Sequence, residues 1–213
     1  MMSFTLTEGQ YIAPTPAGAY HAVASPTPDA TRNTLRHLLR QPKAQAFSEK
    51  NLNSLMDGKF ANPNEFLEQI YRLQEMGLVQ SHPEPREAVH GTVEKNLPEL
   101  LALIAGKGKA LLADNQGFYL GRHGFPHETA EELAGLSADL SALYLRHARL
   151  LNGNMGMSSS AWGLINAGGL SELSCYPLFV GEERFVLVLS NAPNLNQTAF
   201  LDLIWMLILR FGD

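Results

Sequence analysis

The sequence predicts an α+β protein in which a small helical domain precedes a five-stranded antiparallel sheet with helices on both faces. Three short helical patterns follow one another up to residue 82. From residue 92 the patterns run helix, two strands, long helix, three strands, helix. The predicted divisions are an extended segment at 1–30, a helical domain at 31–82, an extended linker at 83–91 and an α/β domain at 92–213.

Composition describes an ordinary soluble protein, with 45% hydrophobic residues, 17% charged residues and a formal net charge of −5. This mild acidity gives no overall attraction to nucleic acid or anionic lipid. The single cysteine, Cys175, cannot form a disulfide within the chain, and its alternating, strand-like surroundings do not favour catalysis. The first residues lack the pattern of a secretion signal, and the apolar segment 199–211 is shorter than the roughly 20 residues of a membrane span. We expect a cytoplasmic protein with no membrane partner.

The first 30 residues contain four prolines, which favour extended backbone. They are Pro14, Pro16, Pro26 and Pro28. The sequence therefore predicts no helix in this segment.

Leucines at helical spacing mark the first two helices of the helical domain. Leu35, Leu38 and Leu39 share one face of the first helix, which Pro42 ends. Leu52, Leu55 and Met56 form the second after Ser48 as N-cap, and Asp57-Gly58 ends it.

The third helix has the clearest start and stop signals. Asn62 is placed as N-cap, Pro63 at the first helical position and Glu65 at N3, a capping-box arrangement. Phe66, Ile70 and Leu73 line one face, Gly77 suits the position past the helix end, and LVQSH follows as a strand.

Three short helices with this punctuation resemble a winged-helix domain, over roughly residues 30–82. A recognition helix must approach phosphates, yet the third helix exposes Glu65, Glu68 and Glu75 against only Arg72. Over residues 31–82, seven Lys or Arg against five Asp or Glu leave a net charge of only +2. DNA therefore remains an alternative partner that the sequence disfavours, and the domain is expected to dock protein or to be structural.

The stretch GKGK, residues 106–109, raises the question of a phosphate-binding loop. Such a loop follows a strand and ends in Gly-Lys-Ser/Thr, whereas here a helix with Leu97, Leu100, Leu101 and Ile104 comes first. ALLAD follows as a strand, and neither lysine precedes Ser or Thr. GKGK is thus the exit of a helix, and DNQG, with Gly117 at positive φ, turns the chain into a second strand, FYLGRHG.

A long helix and three further strands complete the pattern. Thr129 and Glu132 form a capping box that opens a helix extending to about Leu151. Its apolar stripe is predicted to pack on the sheet, and consists of Leu133, Leu136, Leu140, Leu143 and Tyr144. SAWGLIN, ELSCYPLFV and RFVLVLS read as strands, and a very apolar final helix must cover the sheet.

This order of elements resembles the roadblock family, dynein-light-chain-like domains related to longin and profilin folds. The residues that carry the resemblance are LPELLALIAGKGKALLADNQGFYLG, EELAGLSADLSALYLRHARLL and SCYPLFVGEERFVLVLSNAPNLN, within residues 92–213. The loop NGNMGMSSS before the third strand and the preceding helical domain depart from the family's minimal module.

The resemblance implies a homodimer that pairs its long helices and joins the edges of its third strands. It also implies a platform for a Ras-like small GTPase, and some bacterial members are similar to GTPase-activating proteins. Carried onto this chain, the dimer interface comprises Leu140, Leu143, Tyr144, His147 and Leu151 of the long helix with Trp162 and Leu164 of the third strand. Arg146 and Arg149 are candidates for contacting an acidic partner surface, or are solvated helix charges.

Catalytic motifs are sparse, and we expect neither enzyme activity nor a cofactor. His123 and His127 form the only close histidine pair, and Pro126 between them argues against a metal site. A helical arginine lacks the mobile loop of an arginine finger. Together with this, the resemblance to the roadblock family implies a non-catalytic dimeric adaptor or regulator of a small GTPase. The alternatives are a transcriptional regulator with a small-molecule-sensing α/β domain, and a scaffold subunit with no nucleotide-linked partner.

Overall fold

The computed structural model describes Thr7 and residues 9–56, 58, 60, 62–191 and 193–212. Two antiparallel sheets organise these residues, one of two strands and one of five. The amino-terminal elements are β1 (Tyr11–Pro14), α1 (Pro16–Val23), α2 (Ala30–Leu39), α3 (Glu49–Met56), α4 (Pro63–Glu75) and β2 (Val79–His82). We call residues 9–82 the amino-terminal unit.

Helix α1 corrects the prediction that the proline-rich segment is without a helix. Pro16 lies in the first turn of α1, where its missing N–H is not needed. The Thr15 hydroxyl accepts a hydrogen bond from the Gly18 N–H at 3.1 Å and caps the helix. The prolines therefore direct where this helix begins rather than prevent it.

The three helices predicted after residue 30 are confirmed as α2, α3 and α4. The Asn62 side chain accepts from the Glu65 N–H at 3.0 Å, and Gly77 takes φ 68° just past α4. Asp57, predicted to help end α3, lies outside the described residues.

A winged-helix topology is not confirmed. β2 pairs antiparallel with β1, which precedes all four helices, in the register Tyr11 opposite His82 to Pro14 opposite Val79. Between β2 and residue 92, the described chain forms no further strand that could serve as a wing.

The predicted linker, residues 83–91, is pinned to the amino-terminal unit. The Ala44 N–H donates to the Arg86 carbonyl at 2.8 Å, and the Ala88 N–H donates to the Pro42 carbonyl at 2.9 Å. Lys43 and Glu87 form an exposed ion pair at 2.6 Å. Hydrogen bonds therefore hold this segment in place against residues 42–44.

The predicted five-stranded antiparallel sheet with helices on both faces is confirmed. Its strands stand in the order β4-β3-β7-β6-β5. The elements are α5 (Val93–Ala105), β3 (Ala110–Ala113), β4 (Tyr119–His123), α6 (His127–Ala148), β5 (Trp162–Ile165), β6 (Ser171–Val180), β7 (Glu183–Ser190) and α7 (Thr198–Phe211). GKGK indeed leaves a helix, since Gly106 has φ 57° after α5, and Gly117 has φ 88° in the β3–β4 turn.

One face of this sheet packs against α5, α7 and the amino-terminal unit in a single apolar cluster. Trp205 of α7 is fully buried there, and its indole N–H donates to the Gln41 carbonyl at 2.9 Å. Arg86 and Asp202 form a half-buried ion pair at 3.1 Å between the pinned segment and α7. The core therefore crosses the predicted division at residues 83–91 without interruption.

Helix α6 covers the other face, in an orientation that differs from the prediction. It begins at His127, directly after Pro126, so Thr129 lies inside the helix rather than at its cap. The residues that α6 buries are almost all small: Ala130, Ala134, Ser137, Ala138, Ser141 and Tyr144. Of the predicted leucine stripe, Leu133 and Leu140 are half-buried, whereas Leu136 and Leu143 are exposed. A π-helical turn, Arg149–Asn154, continues α6.

None of the helices formed by the described residues combines the length and the apolar character needed to cross a membrane.

Candidate functional site

Exposed apolar side chains are concentrated in one continuous segment. Of the fifteen large apolar side chains that are exposed in the described part of the chain, eight lie between residues 143 and 170. They are Leu143, Leu145, Leu150, Met155, Met157, Leu164, Ile165 and Leu170. The segment comprises the end of α6, the π-helical turn, the loop to β5, β5 itself and the β5–β6 turn. We call these eight residues the outer apolar surface. Exposed apolar side chains in number can mark an interaction site.

The same segment carries no acidic residue. Between Asp139 and Glu172 the sequence contains no Asp or Glu, although the chain as a whole has a net charge of −5. Arg146 and Arg149 are its only Lys or Arg residues, and His147 lies between them. The segment thus combines exposed apolar side chains with basic but no acidic residues, on a chain that is acidic overall.

Small residues on the inner face of α6 explain why its leucines face outward. In the cluster beneath α6, Ala130 and Ala134 pack against Leu111, Val186 and Val188 of the sheet. Alanine and serine let a helix backbone approach a sheet closely, and this close contact fixes which stripe of the helix is buried. Once the small stripe faces inward, Leu136 and Leu143 are left at the surface.

Strand β5 is an open edge of the five-stranded sheet. It pairs with β6 in the register Trp162 opposite Cys175 to Ile165 opposite Ser171, and no described strand pairs with its other side. Leu164 and Ile165 are 63% and 62% exposed. An apolar edge strand with unpaired backbone groups readily pairs with another chain.

The predicted dimer residues divide into three groups in the structure. Leu143, His147 and Leu164 are exposed, and Leu140, Leu151 and Trp162 are half-buried beside them. Tyr144 is only 3% exposed, and its hydroxyl donates to the Asn152 side chain at 3.0 Å. Tyr144 is thus buried within the single chain, and its part in an interface stays a prediction.

Arg146 and Arg149 are both exposed at the carboxyl end of α6. Within the described residues neither guanidinium forms an ion pair. Both are therefore accessible to an external carboxylate.

The remaining candidate groups are engaged or buried. Nδ1 of His127 lies 2.8 Å from the Tyr119 hydroxyl, and Nε2 of the same ring lies 3.5 Å from the Glu131 carboxylate. Among the described residues, no three His, Cys, Asp or Glu side chains come together as a metal site. Cys175 is buried, and this burial raises the pKa of its thiol to about 11.

Comparisons with known proteins give only distant similarities to solved structures. No family model matches the chain, and no curated protein matches it. A Roadblock/LC7 domain from Streptomyces avermitilis is 13% identical, with a TM-score of 0.33 over 53% of this chain and 90% of that one. Myxococcus xanthus MglB is 19% identical, with a TM-score of 0.36 over 58% and 92%. The gliding protein MglB from Thermus thermophilus is 21% identical, with a TM-score of 0.36 over 59% and 94%.

Sequence reasoning missed most of the outer apolar surface. Six of its eight residues were not among the predicted interface residues: Leu145, Leu150, Met155, Met157, Ile165 and Leu170. The absence of acidic residues from 140 to 171 is the signal that could have found them, because interface centres are depleted in charge.

Proposed function

We propose that this protein is a non-catalytic, dimeric adaptor or regulator of a Ras-like small GTPase, and that the outer apolar surface is its interface. The observation that carries the proposal is the coincidence of three properties in residues 143–170. These are exposed apolar side chains, an open strand edge and a lack of acidic residues on an otherwise acidic chain.

A symmetric dimer fits this surface. In a two-fold interface the same patch meets itself, so Leu143 of α6 and Leu164 of β5 would each face residues of the same segment in the second copy. Joining two β5 edges would satisfy their free backbone groups in one continuous ten-stranded sheet, and would remove an edge that otherwise favours misassociation. The lack of carboxylates also avoids buried, unpaired negative charge at the interface.

The dimer is tested by mass in solution. We expect the wild type to sediment as a dimer and Leu164→Asp to sediment as a monomer, because a carboxylate would be buried at the joined edge. Leu120→Asp is the matched control, since Leu120 is a 43% exposed leucine on β4, the opposite edge strand. A monomeric wild type, or equal dissociation in both variants, would contradict this interface.

The GTPase partner is proposed from the resemblance to roadblock domains, with Arg146 and Arg149 facing an acidic surface of that partner. Both residues are exposed at the end of α6, and in sequence they directly adjoin the exposed residues Leu145 and Leu150. Charges at the rim of an interface mainly accelerate association and select the partner.

Capture from native lysate, supplied with GDP or with a non-hydrolysable GTP analogue, tests the partner. We expect mass spectrometry to identify a Ras-like GTPase in one nucleotide state, and its recovery to fall with Arg146→Glu combined with Arg149→Glu. Lys107→Glu, at an exposed site after α5, is the charge control. Absence of a GTPase from both nucleotide states would refute the partner, and equal recovery with the arginine variant would refute the arginines' role.

The alternative of a transcriptional regulator has no supporting observation in the described part of the chain. On the exposed face of α4, Arg72 is paired with Glu68. Arg72 is therefore not free to contact a DNA phosphate from this described turn of the helix. Salt-sensitive binding to duplex DNA would restore this alternative, and a dimer that captures no GTPase would favour a scaffold subunit.

A further inference from the structure

The carboxyl end of α1 is held by side chains from two distant parts of the chain. The last carbonyls of a helix have no partner within it and need donors from elsewhere. Arg32 donates to the His21 carbonyl at 3.1 Å, and Arg36 donates to the Ala22 carbonyl at 2.7 Å. The third donor comes from outside the amino-terminal unit, since Ser160 donates to the Ala24 carbonyl at 2.8 Å.

Ser160 is the point where the chain returns from solvent to the sheet. Every residue from 152 to 159 is exposed, whereas Ser160 is 1% exposed and β5 begins two residues later. The hydrogen bond to Ala24 is therefore the anchor that ends the exposed loop and positions the start of β5.

Aromatic contacts also join α1 to the sheet and to α7. The Tyr20 ring lies edge-on to Tyr176 of β6, with centroids 6.1 Å apart, and against Phe200 of α7 at 5.9 Å. Burial raises the pKa of Tyr20 to about 12, so the phenol is neutral. The Tyr20 ring thus packs α1 against β6 and α7.

A second link from α1 and α2 reaches the strand next to β5. One terminal nitrogen of Arg36 donates to the Ser25 carbonyl at 3.2 Å and to the Phe179 carbonyl of β6 at 3.4 Å. Only the Phe179 contact reaches the sheet, and it joins α2 to the part of β6 that pairs with β7, beyond the residues that pair with β5.

We propose that Ser160 is a positioning residue through which the amino-terminal unit controls the β5 edge. Loss of the hydrogen bond between Ser160 and the Ala24 carbonyl would loosen β5 and weaken the surface that β5 contributes to. This inference rests on the proposed dimer for its functional consequence, but the coupling of α1 to β5 stands on the contacts alone. By reciprocity, an event that orders β5 also stabilises the end of α1.

Hydrogen exchange of the full chain tests the coupling. Ser160→Ala leaves the half-buried Ala24 carbonyl without its donor. We expect amides of residues 162–165 and of residues 19–25 to exchange about tenfold faster in this variant, with the slowest amides of β7 unchanged. Ser158→Ala is the matched control, because Ser158 lies in the same loop and is exposed.

The outcomes separate this inference from the proposed function. Unchanged exchange in β5, or equal acceleration throughout the molecule, would overturn the coupling, since equal acceleration reflects only global stability. The dimer dissociation constant, measured on the same two variants, should rise about tenfold for Ser160→Ala alone. If the wild type is monomeric at all concentrations, the proposed dimer is refuted. The exchange rates of the β5 and α1 amides in Ser160→Ala then still test the coupling.

Discussion

The two faces of the five-stranded sheet are covered in opposite ways. On one face, α7 buries nine consecutive or near-consecutive apolar residues between Ala199 and Ile208, under α5 and the amino-terminal unit. On the other face, α6 buries mainly alanine and serine and leaves its larger leucines at or near the surface.

This difference separates stability from interaction. The α7 face consists of large side chains that contribute about 1.5 to 3 kcal/mol each when buried, so it supplies most of the apolar stabilisation. The α6 face needs little volume beneath the helix, and its leucines remain available to another protein. The amino-terminal unit is consequently part of the core rather than an attached module.

The largest effect is expected from Trp205→Ala on the α7 face. The indole is 1% exposed and hydrogen-bonded to Gln41, so its loss leaves a large cavity beneath the amino-terminal unit. Urea unfolding should show a loss of about 3 to 5 kcal/mol. Leu209→Ala, on the same helix at a 39% exposed position, should cost well under about 1 kcal/mol. Similar losses for both variants would mean that the amino-terminal unit does not cover α7.

Gly18→Ala tests the close contact of α1 with the turn after α4. A Cβ at this position would lie 1.9 Å from the Leu78 carbonyl oxygen, a backbone atom that also accepts from the Thr15 N–H at 3.0 Å. Because this oxygen is fixed, α1 must shift, and we expect a loss of about 3 kcal/mol in thermal or urea unfolding. Any gain in stability would show that α1 does not lie against this turn.

Arg86→Met tests the ion pair that joins the pinned segment to α7. Burial raises the pKa of Asp202, and Arg86 lowers it again in part. A carboxyl with a raised native pKa favours the fold when protonated, and this contribution is lost as pH rises through that pKa. Without Arg86 the pKa should rise further, so the variant should lose about 2 kcal/mol at neutral pH and less as pH falls towards about 4.

The control for this prediction is an exposed ion pair in the amino-terminal unit. Arg72→Met removes the pair with Glu68, whose side chains are 64% and 50% exposed. Its cost should stay below about 0.5 kcal/mol at either pH. A pH-independent loss in Arg86→Met would show that Asp202 does not titrate with the fold.

Elements with local start and stop signals were predictable from the sequence. Asn62 and Pro63 specify the beginning of α4, and Gly106 and Gly117 specify turns through a positive φ that other residues rarely adopt. In such cases the residues that determine the structure lie within a few positions of it, so a single sequence contains the necessary information.

Features that depend on distant contacts were not predictable in the same way. In α6 the leucine stripe and the alanine-serine stripe have the same helical period, and a prediction from hydrophobicity alone buries the leucines. In the structure, the close approach of the helix to the sheet determines that the alanine-serine stripe is buried instead. Ser160 gave no signal either, because its partner Ala24 lies 136 residues away in sequence.

The smallest effect is expected at Gly135, and it has the opposite sign. This glycine lies in the interior of α6, and a Cβ there would meet no atom within 4 Å. Gly135→Ala should therefore raise stability by about 0.5 to 1 kcal/mol, because alanine loses less backbone freedom on folding and favours the helix. At Gly18 we expect the same substitution to be destabilising, because α1 packs there against the backbone of Leu78. A loss of stability in Gly135→Ala would mean that α6 lies closer to the β3–β4 turn than the structure shows. Both faces of the sheet would then be tightly packed against helices.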